Sequence, residues 1–135
     1  KKKNKITKTG QLLEVIDQCT RPTDNKNKYR ALVFQALRME VNDETGSLKK
    51  MLKQALEVLK PGGRMVVISY HSLEDRLVKN FFKAGNFEGK VEKDIYGNSQ
   101  SPFELINKKP LTPQPAENEK NKRARSAKLR KKEKK

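Results

Sequence analysis

The spacing of apolar residues predicts a helical first half and a mixed second half. Leu12, Leu13 and Ile16 fall on one side of a helix that Thr9 is placed to cap. That helix is expected to stop before Pro22, with a loop from Arg21 to Lys28. A second helix is predicted over Lys28–Val41, where Val33, Leu37 and Val41 recur every fourth residue. Asn42 or Asp43 then caps a third helix, with Glu44 in its first turn, where an acid suits the helix dipole. The third helix carries the most continuous apolar stripe, Leu48, Met51, Leu52, Ala55, Leu56 and Leu59, and Pro61-Gly62-Gly63 ends it.

Met65-Val66-Val67-Ile68 is a short apolar run rich in β-branched residues. It predicts a strand buried on both faces, as in a parallel sheet. Ser69-Tyr70-His71-Ser72 turns out of it, and Ser72 is the expected N-cap of a fourth helix whose buried stripe is Leu77, Val78, Phe81 and Phe82. That helix ends near Gly85, and residues 86–101 are polar and loop-like. Two weaker strand candidates follow, Phe103 to Ile106 and Ala127 to Arg130, separated by Pro110, Pro113 and Pro115. Helix, turn, strand, turn, helix predicts an open α/β sheet with helices on both faces.

Hydrophobic residues make up only 33% of the 135, against about 45–50% in ordinary globular chains. The core must therefore be confined to part of the chain. The net charge of +16 is concentrated at the two ends. Residues 1–30 hold nine Lys/Arg and three Asp/Glu, residues 31–117 thirteen and eleven, and residues 118–135 ten and two. Basic ends on a near-neutral centre suit a polyanion, most simply nucleic-acid phosphate, or else are solvated tails. Cys19 is the only cysteine, so neither an intramolecular disulfide nor a Cys/His zinc cluster is expected, and a reducing cytoplasm fits. No apolar run approaches the roughly 18 residues of a membrane helix, and no membrane association is expected. No apolar region follows the basic start, so no signal peptide is expected either.

Ligands of open α/β sheets bind beyond the carboxyl ends of the strands. That position is held here by Ser69 to Asp75, with two hydroxyls, a phenol, the only histidine and two carboxylates. A hydrolytic triad of Ser72, His71 and Asp75 is disfavoured, because sequence neighbours rarely face one another and no nucleophile elbow is present. A metal site of His71, Glu74 and Asp75 is disfavoured too, and no metal is expected. Two readings remain. In one, Ser72 caps the helix, the acids favour its dipole and His71 satisfies a backbone group; in the other, the loop faces a substrate. The glycines of Pro61-Gly62-Gly63-Arg64 precede a strand rather than follow one, so they read as a helix stop and not a phosphate cradle.

Three segments carry a resemblance. Residues Val33 to Glu44 resemble the F-Q-A-L-R-I-x-V-N-x-E stretch of the bacterial 16S ribosomal-RNA cytosine-N4 methyltransferases. Pro61-Gly62-Gly63-Arg64, followed by Ser69 to Arg76, is similar to their P-G-G-R and S-F-H-S-L-E-D-R signature, with Tyr70 where the family has Phe. Lys108 to Pro113 and Arg123 to Arg130 are similar to their closing K-P-L-x-P and R-A-R-S-A-K-L-R. The order and approximate spacing agree over nearly the whole chain.

The resemblance implies the later half of a class I, Rossmann-like methyltransferase fold, preceded by the end of a helical insertion. Residues 1–27 would end that insertion and its linker, residues 28–117 would form the α/β half-domain, and residues 118–135 a basic carboxy-terminal segment. It implies S-adenosylmethionine as donor for the complete enzyme, and 16S ribosomal RNA in the small subunit as partner. The family's glycine-rich donor loop and the acid that holds the donor's ribose lie upstream of the matched region. No cofactor is therefore expected on this chain alone, and the chain alone is expected to be inactive. Tyr70 would stack on the base, while His71, Ser72, Glu74 or Asp75 would hydrogen-bond its edge or assist proton transfer. Arg76, Arg123, Arg125, Lys128 and Arg130 would contact phosphates. Met39, Thr45 and Lys122 depart from the family's usual Ile, Leu and Pro, as does the Lys-rich end, and these changes lower exposed apolar surface. An unpaired sheet edge is also expected, and with it a route to a homodimer. The rival readings are a non-enzymatic RNA-binding, ribosome-associated module and an engineered folding fragment.

Overall fold

The computed structural model describes residues 5–21, 25–98, 100–104, 106–107 and 109–135. They fall into two compact units, residues 1–44 and 45–135.

The first unit holds α1 (Thr9–Cys19) and α2 (Lys26–Val41). The N-cap of α1 is Lys8, not Thr9, because Gln11 Oε1 reaches back to the backbone N–H groups of Thr7 at 2.9 Å and Lys8 at 3.2 Å. The expected stop before Pro22 lies outside the described residues. Asn25 caps α2 by accepting from the Lys28 N–H at 3.1 Å, so this helix starts two residues earlier than expected. Ile16 is buried, and Arg30 of α2 ion-pairs with Asp17 of α1 through Nε at 2.7 Å. The apolar stripe of α2 is not buried: Leu37 and Val41 are both exposed. Asp43, in left-handed backbone with φ 45°, turns the chain into Glu44, which pairs with Arg38.

The second unit contains α3 (Glu44–Val58, apart from its first residue), β1 (Arg64–Ser69), α4 (Ser72–Ala84), β2 (Phe103–Glu104), α5 (Pro115–Lys120), a 3-10 turn (Lys122–Ser126) and β3 (Lys128–Lys134). Leu52 of α3, Met65 of β1, Val78, Phe81 and Phe82 of α4 and Phe103 of β2 form its core. Phe103 meets Phe81 and Phe82 edge to face, at 5.6 and 5.3 Å between ring centres. Met51, expected on the buried stripe, is instead exposed. Two glycines set the frame. Gly62, at φ 77°, turns α3 into β1 and donates to Lys134 O at 2.8 Å. Gly85, at φ 76°, ends α4 where an added Cβ would sit 2.7 Å from the Pro102 ring.

The sheet corrects two expectations. It is antiparallel, in the order β1-β3-β2, with Arg64↔Glu133 to Ser69↔Lys128 in register. β1 is not buried on both faces: Met65 and Ser69 are buried, whereas Val66 and Ile68 are 55% and 53% exposed. Its apolar run met the requirement for a strand, but side-chain alternation gives only one face to the helices. The second correction concerns the basic end. The expected strand over Ala127 to Arg130 continues through Lys134 as the central strand of the sheet. Of the Phe103 to Ile106 candidate, Phe103 and Glu104 pair with β3 and Ile106 does not, while Leu105 lies outside the described residues.

Candidate functional site

The site forms where β1 ends. The N-cap of α4 is His71 rather than Ser72, with φ −114° and ψ 146°, so Ser72 is the first helical residue. Glu74 fixes this turn: its Oε2 accepts from the backbone N–H groups of Tyr70 and His71, each at 3.3 Å. The two acids thus have different local roles. Glu74 holds the entry to α4, while Asp75, 8% exposed, faces β3 and accepts from Arg130 and Lys128. Burial alone would raise the Asp75 pKa; the hydrogen bonds and charges of Arg130 and Lys128 outweigh it and hold the carboxyl below the usual range.

Tyr70, 51% exposed, stands over a cleft of about 270 Å3. Ile68 lines it from β1, Leu111 and Pro113 from the proline-rich segment, Ala124 from the 3-10 turn, and Leu129 from β3. Leu111 and Leu129 exchange backbone hydrogen bonds of 2.9 Å in both directions, which pins the proline-rich segment to β3. Residues 40 and more apart in sequence are thereby gathered at the carboxyl end of β1. Asn121 accepts from the Arg123 N–H at 3.1 Å and orders the 3-10 turn. Arg123 and Arg125 lie exposed on that turn, and Arg76 is exposed on α4.

The sequence candidates therefore separate. Tyr70 borders the cleft, whereas His71, half-buried, and Ser72, exposed, are not among its lining residues. Arg76, Arg123 and Arg125 have no ion-pair partner among the described residues; Lys128 and Arg130 share Asp75. Two features were not anticipated. Ser69 Oγ is buried with no hydrogen-bond partner among the described residues, which leaves a polar group in want of one. Lys134 Nζ donates to the Leu56 and Leu59 carbonyls at 2.8 and 2.7 Å, closing the carboxyl end of α3. The alternation Lys128, Arg130, Lys132, Lys134 in sequence is the signal that one strand face carries these cations.

The turn from β1 into α4 has no glycine, and both its acids are engaged. Within this turn the described residues therefore offer neither a glycine-rich loop nor a carboxylate without a partner. Among them there is also no cluster of three His, Cys, Asp or Glu suited to a metal ion, and no helix long and apolar enough to cross a membrane.

The chain is similar to known proteins over nearly its whole length. Ribosomal RNA small subunit methyltransferase H of Parabacteroides distasonis is 60% identical over 126 residues, 93% of this chain and 41% of that protein. The protein of the same name from Bacteroides thetaiotaomicron is 56% identical over 130 residues, 96% of this chain and 42% of its own length. That from Amoebophilus asiaticus is 57% identical over 122 residues, 90% and 39%. The chain thus spans about two-fifths of the length of the curated relatives it matches. The family profile itself matches residues 1–135, and the chain belongs to the MraW methylase family.

Proposed function

We propose that this chain is the acceptor-side part of a methyltransferase that modifies N4 of a cytidine in 16S ribosomal RNA. The relatives named above are ribosomal-RNA small subunit methyltransferases. In this reading residues 28–117 belong to the later half of a class I, Rossmann-like fold, residues 1–27 end a helical insertion, and the basic segment 118–135 supplies the central strand. S-adenosylmethionine serves the complete enzyme, and residues outside this chain hold it.

The observation that carries the reading is the cleft at Tyr70, where Tyr70 meets the proline-rich segment and the 3-10 turn. A cytosine amine is a poor nucleophile, since its lone pair is delocalised into the ring. It must be held in line with its target and lose a proton. Tyr70 flanks the base as a stacking surface. His71 and Ser72, which follow Tyr70 in the turn, serve the base edge or the proton. Glu74 and Asp75 act as positioning residues, one through the turn and the other through β3. Arg76, Arg123 and Arg125 are the phosphate contacts, with Lys128 in reserve through its partial exposure.

The test is calorimetric. S-adenosylmethionine titrated into the folded chain should give no binding heat, whereas the chain joined to its upstream part should bind it and methylate small-subunit RNA. Micromolar binding to residues 1–135 alone would put the donor site in this chain and overturn the division.

A further inference from the structure

A second, larger cavity lies away from the cleft at Tyr70 and shares no lining residue with it. It is a groove of about 810 Å3 lined by α4, by Ser101, Phe103, Glu104, Asn107 and Lys109, and by β3. Phe82 and Phe103, both buried, form its apolar floor.

Lys132 stands in the wall of this groove and is only 9% exposed. Its neighbours on the same face of β3 are all matched: Lys128 and Arg130 by Asp75, and Lys134 by the Leu56 and Leu59 carbonyls. Lys132 has no such partner among the described residues. Its pKa is held below the ordinary lysine range by burial and by the nearby Arg130, two effects that an anion beside it would offset. Lys79 and Lys83, one helical turn apart on α4, and Lys109 add exposed cations along the opening. Glu88 and Glu104 share the lining but are outnumbered. The low-polarity floor strengthens the pull on an anion that enters.

We propose that this groove binds a phosphoryl oxyanion, with Lys132 Nζ as its inner donor and Lys79 and Lys83 at its entrance. Several lysines converging on one space suit a group with three or more acceptor oxygens, and the volume admits the sugar next to a phosphate. The anion supplies the missing counter-charge to Lys132. The inference does not depend on the methyl-transfer reading, because anion binding is measured directly.

The experiment compares the 135-residue chain with Lys132→Met and with Lys79→Gln/Lys83→Gln. Inorganic phosphate is titrated by calorimetry, and a short fluorescent single-stranded RNA by anisotropy at several salt concentrations. Lys132→Met is expected to weaken phosphate binding by at least about tenfold without lowering the melting temperature. If RNA binding also weakens, competes with phosphate and loses about one from its salt slope, the phosphate belongs to an RNA backbone. If RNA binding is untouched while phosphate binding falls, the ligand is a free phosphate or phosphomonoester. Should Lys132→Met not fold, the exposed Lys79/Lys83 pair reports the same loss. Phosphate binding that is undetectable in the parent chain, or equal in the parent and the folded variants, overturns the proposal.

Discussion

Asp75 on α4 and Arg130 on β3, 55 residues apart in sequence, are joined by two hydrogen bonds, from Nε to Oδ1 at 2.7 Å and from Nη2 to Oδ2 at 3.2 Å. The fork geometry of the guanidinium matches the carboxylate, and Lys128 adds a third donor at 3.3 Å. This contact fastens the first turn of α4 to the strand that follows the 3-10 turn, so it determines how the two sides of the Tyr70 cleft meet.

Asp75→Asn should cost about 3 kcal/mol, near the low end for a broken buried pair because both partners keep some exposure. The sign with pH follows from the direction of the shift. The folded-state pKa of Asp75 is depressed, so its contribution is present above the unfolded value of about 3.9 and is lost as pH falls through the lower folded value. Urea unfolding of the parent chain should therefore weaken below about pH 4, and Asp75→Asn should flatten that dependence. Some slope will remain, since Asp17 and Asp94 are shifted the same way. A variant with unchanged stability at pH 7 would show that the pair is not structural.

Lys134 poses the opposite question, because a lysine in a basic tail looks dispensable. Its ammonium instead holds two carbonyls at the end of α3. Lys134→Met should lose charge-assisted hydrogen bonds and destabilise the chain by about 2 kcal/mol, which lowers Tm by roughly 8 °C or more for a domain of this size. Thermal unfolding by circular dichroism measures it; a Tm within 2 °C, on the order of the scatter for surface substitutions, would mean that water serves these carbonyls equally well.

These two residues also mark what was legible in the sequence. Helices with a strong 3.6-residue stripe, such as α4 with Val78, Phe81 and Phe82, could be read because burial of one face decides them. β1 could be read from its β-branched run, but not its neighbour: nothing in Met65 to Ile68 specifies an antiparallel partner more than 60 residues away. β3 could be read only as far as Arg130, because its charges masked the rest. The sequence Lys-Leu-Arg-Lys-Lys-Glu-Lys is polar in both phases of a strand, and only contacts with α3 and α4 show that its lysine stems lie inward. The motif pointed to the turn at Tyr70 through Asp75, yet the division of labour there depends on reach. Glu74 bends back to its own turn and Asp75 points to β3, a distinction that local sequence does not contain.

β1 pairs only on its β3 side among the described residues, and its outer face shows Val66 and Ile68. An open edge beside an apolar face is a template for association. Light scattering should show concentration-dependent self-association of this chain. Val66→Lys/Ile68→Lys should reduce it while changing stability by no more than about 0.5 kcal/mol per site, since both side chains are half exposed already. Equal association in the parent and the variant would place the contact elsewhere, and a monomeric parent would show that the edge is protected.

Tyr70 allows the base-stacking role to be separated from a proton-transfer role. Half exposed at the cleft, it contributes little to packing, so Tyr70→Ala should change stability by no more than about 0.5 kcal/mol. If the ring stacks on the acceptor base, its removal should lower kcat/KM for RNA methylation by the complete protein roughly 10- to 100-fold, the range of one stacked base. The family pattern carries Phe where this chain has Tyr70, which predicts that the hydroxyl is not required. Tyr70→Phe should therefore keep nearly full activity with an unchanged pH profile. Activity as low in Tyr70→Phe as in Tyr70→Ala, with a displaced alkaline limb, would transfer the role from the ring to the phenol and make Tyr70 a proton-handling residue. Unchanged activity in Tyr70→Ala would remove the cleft from the acceptor site.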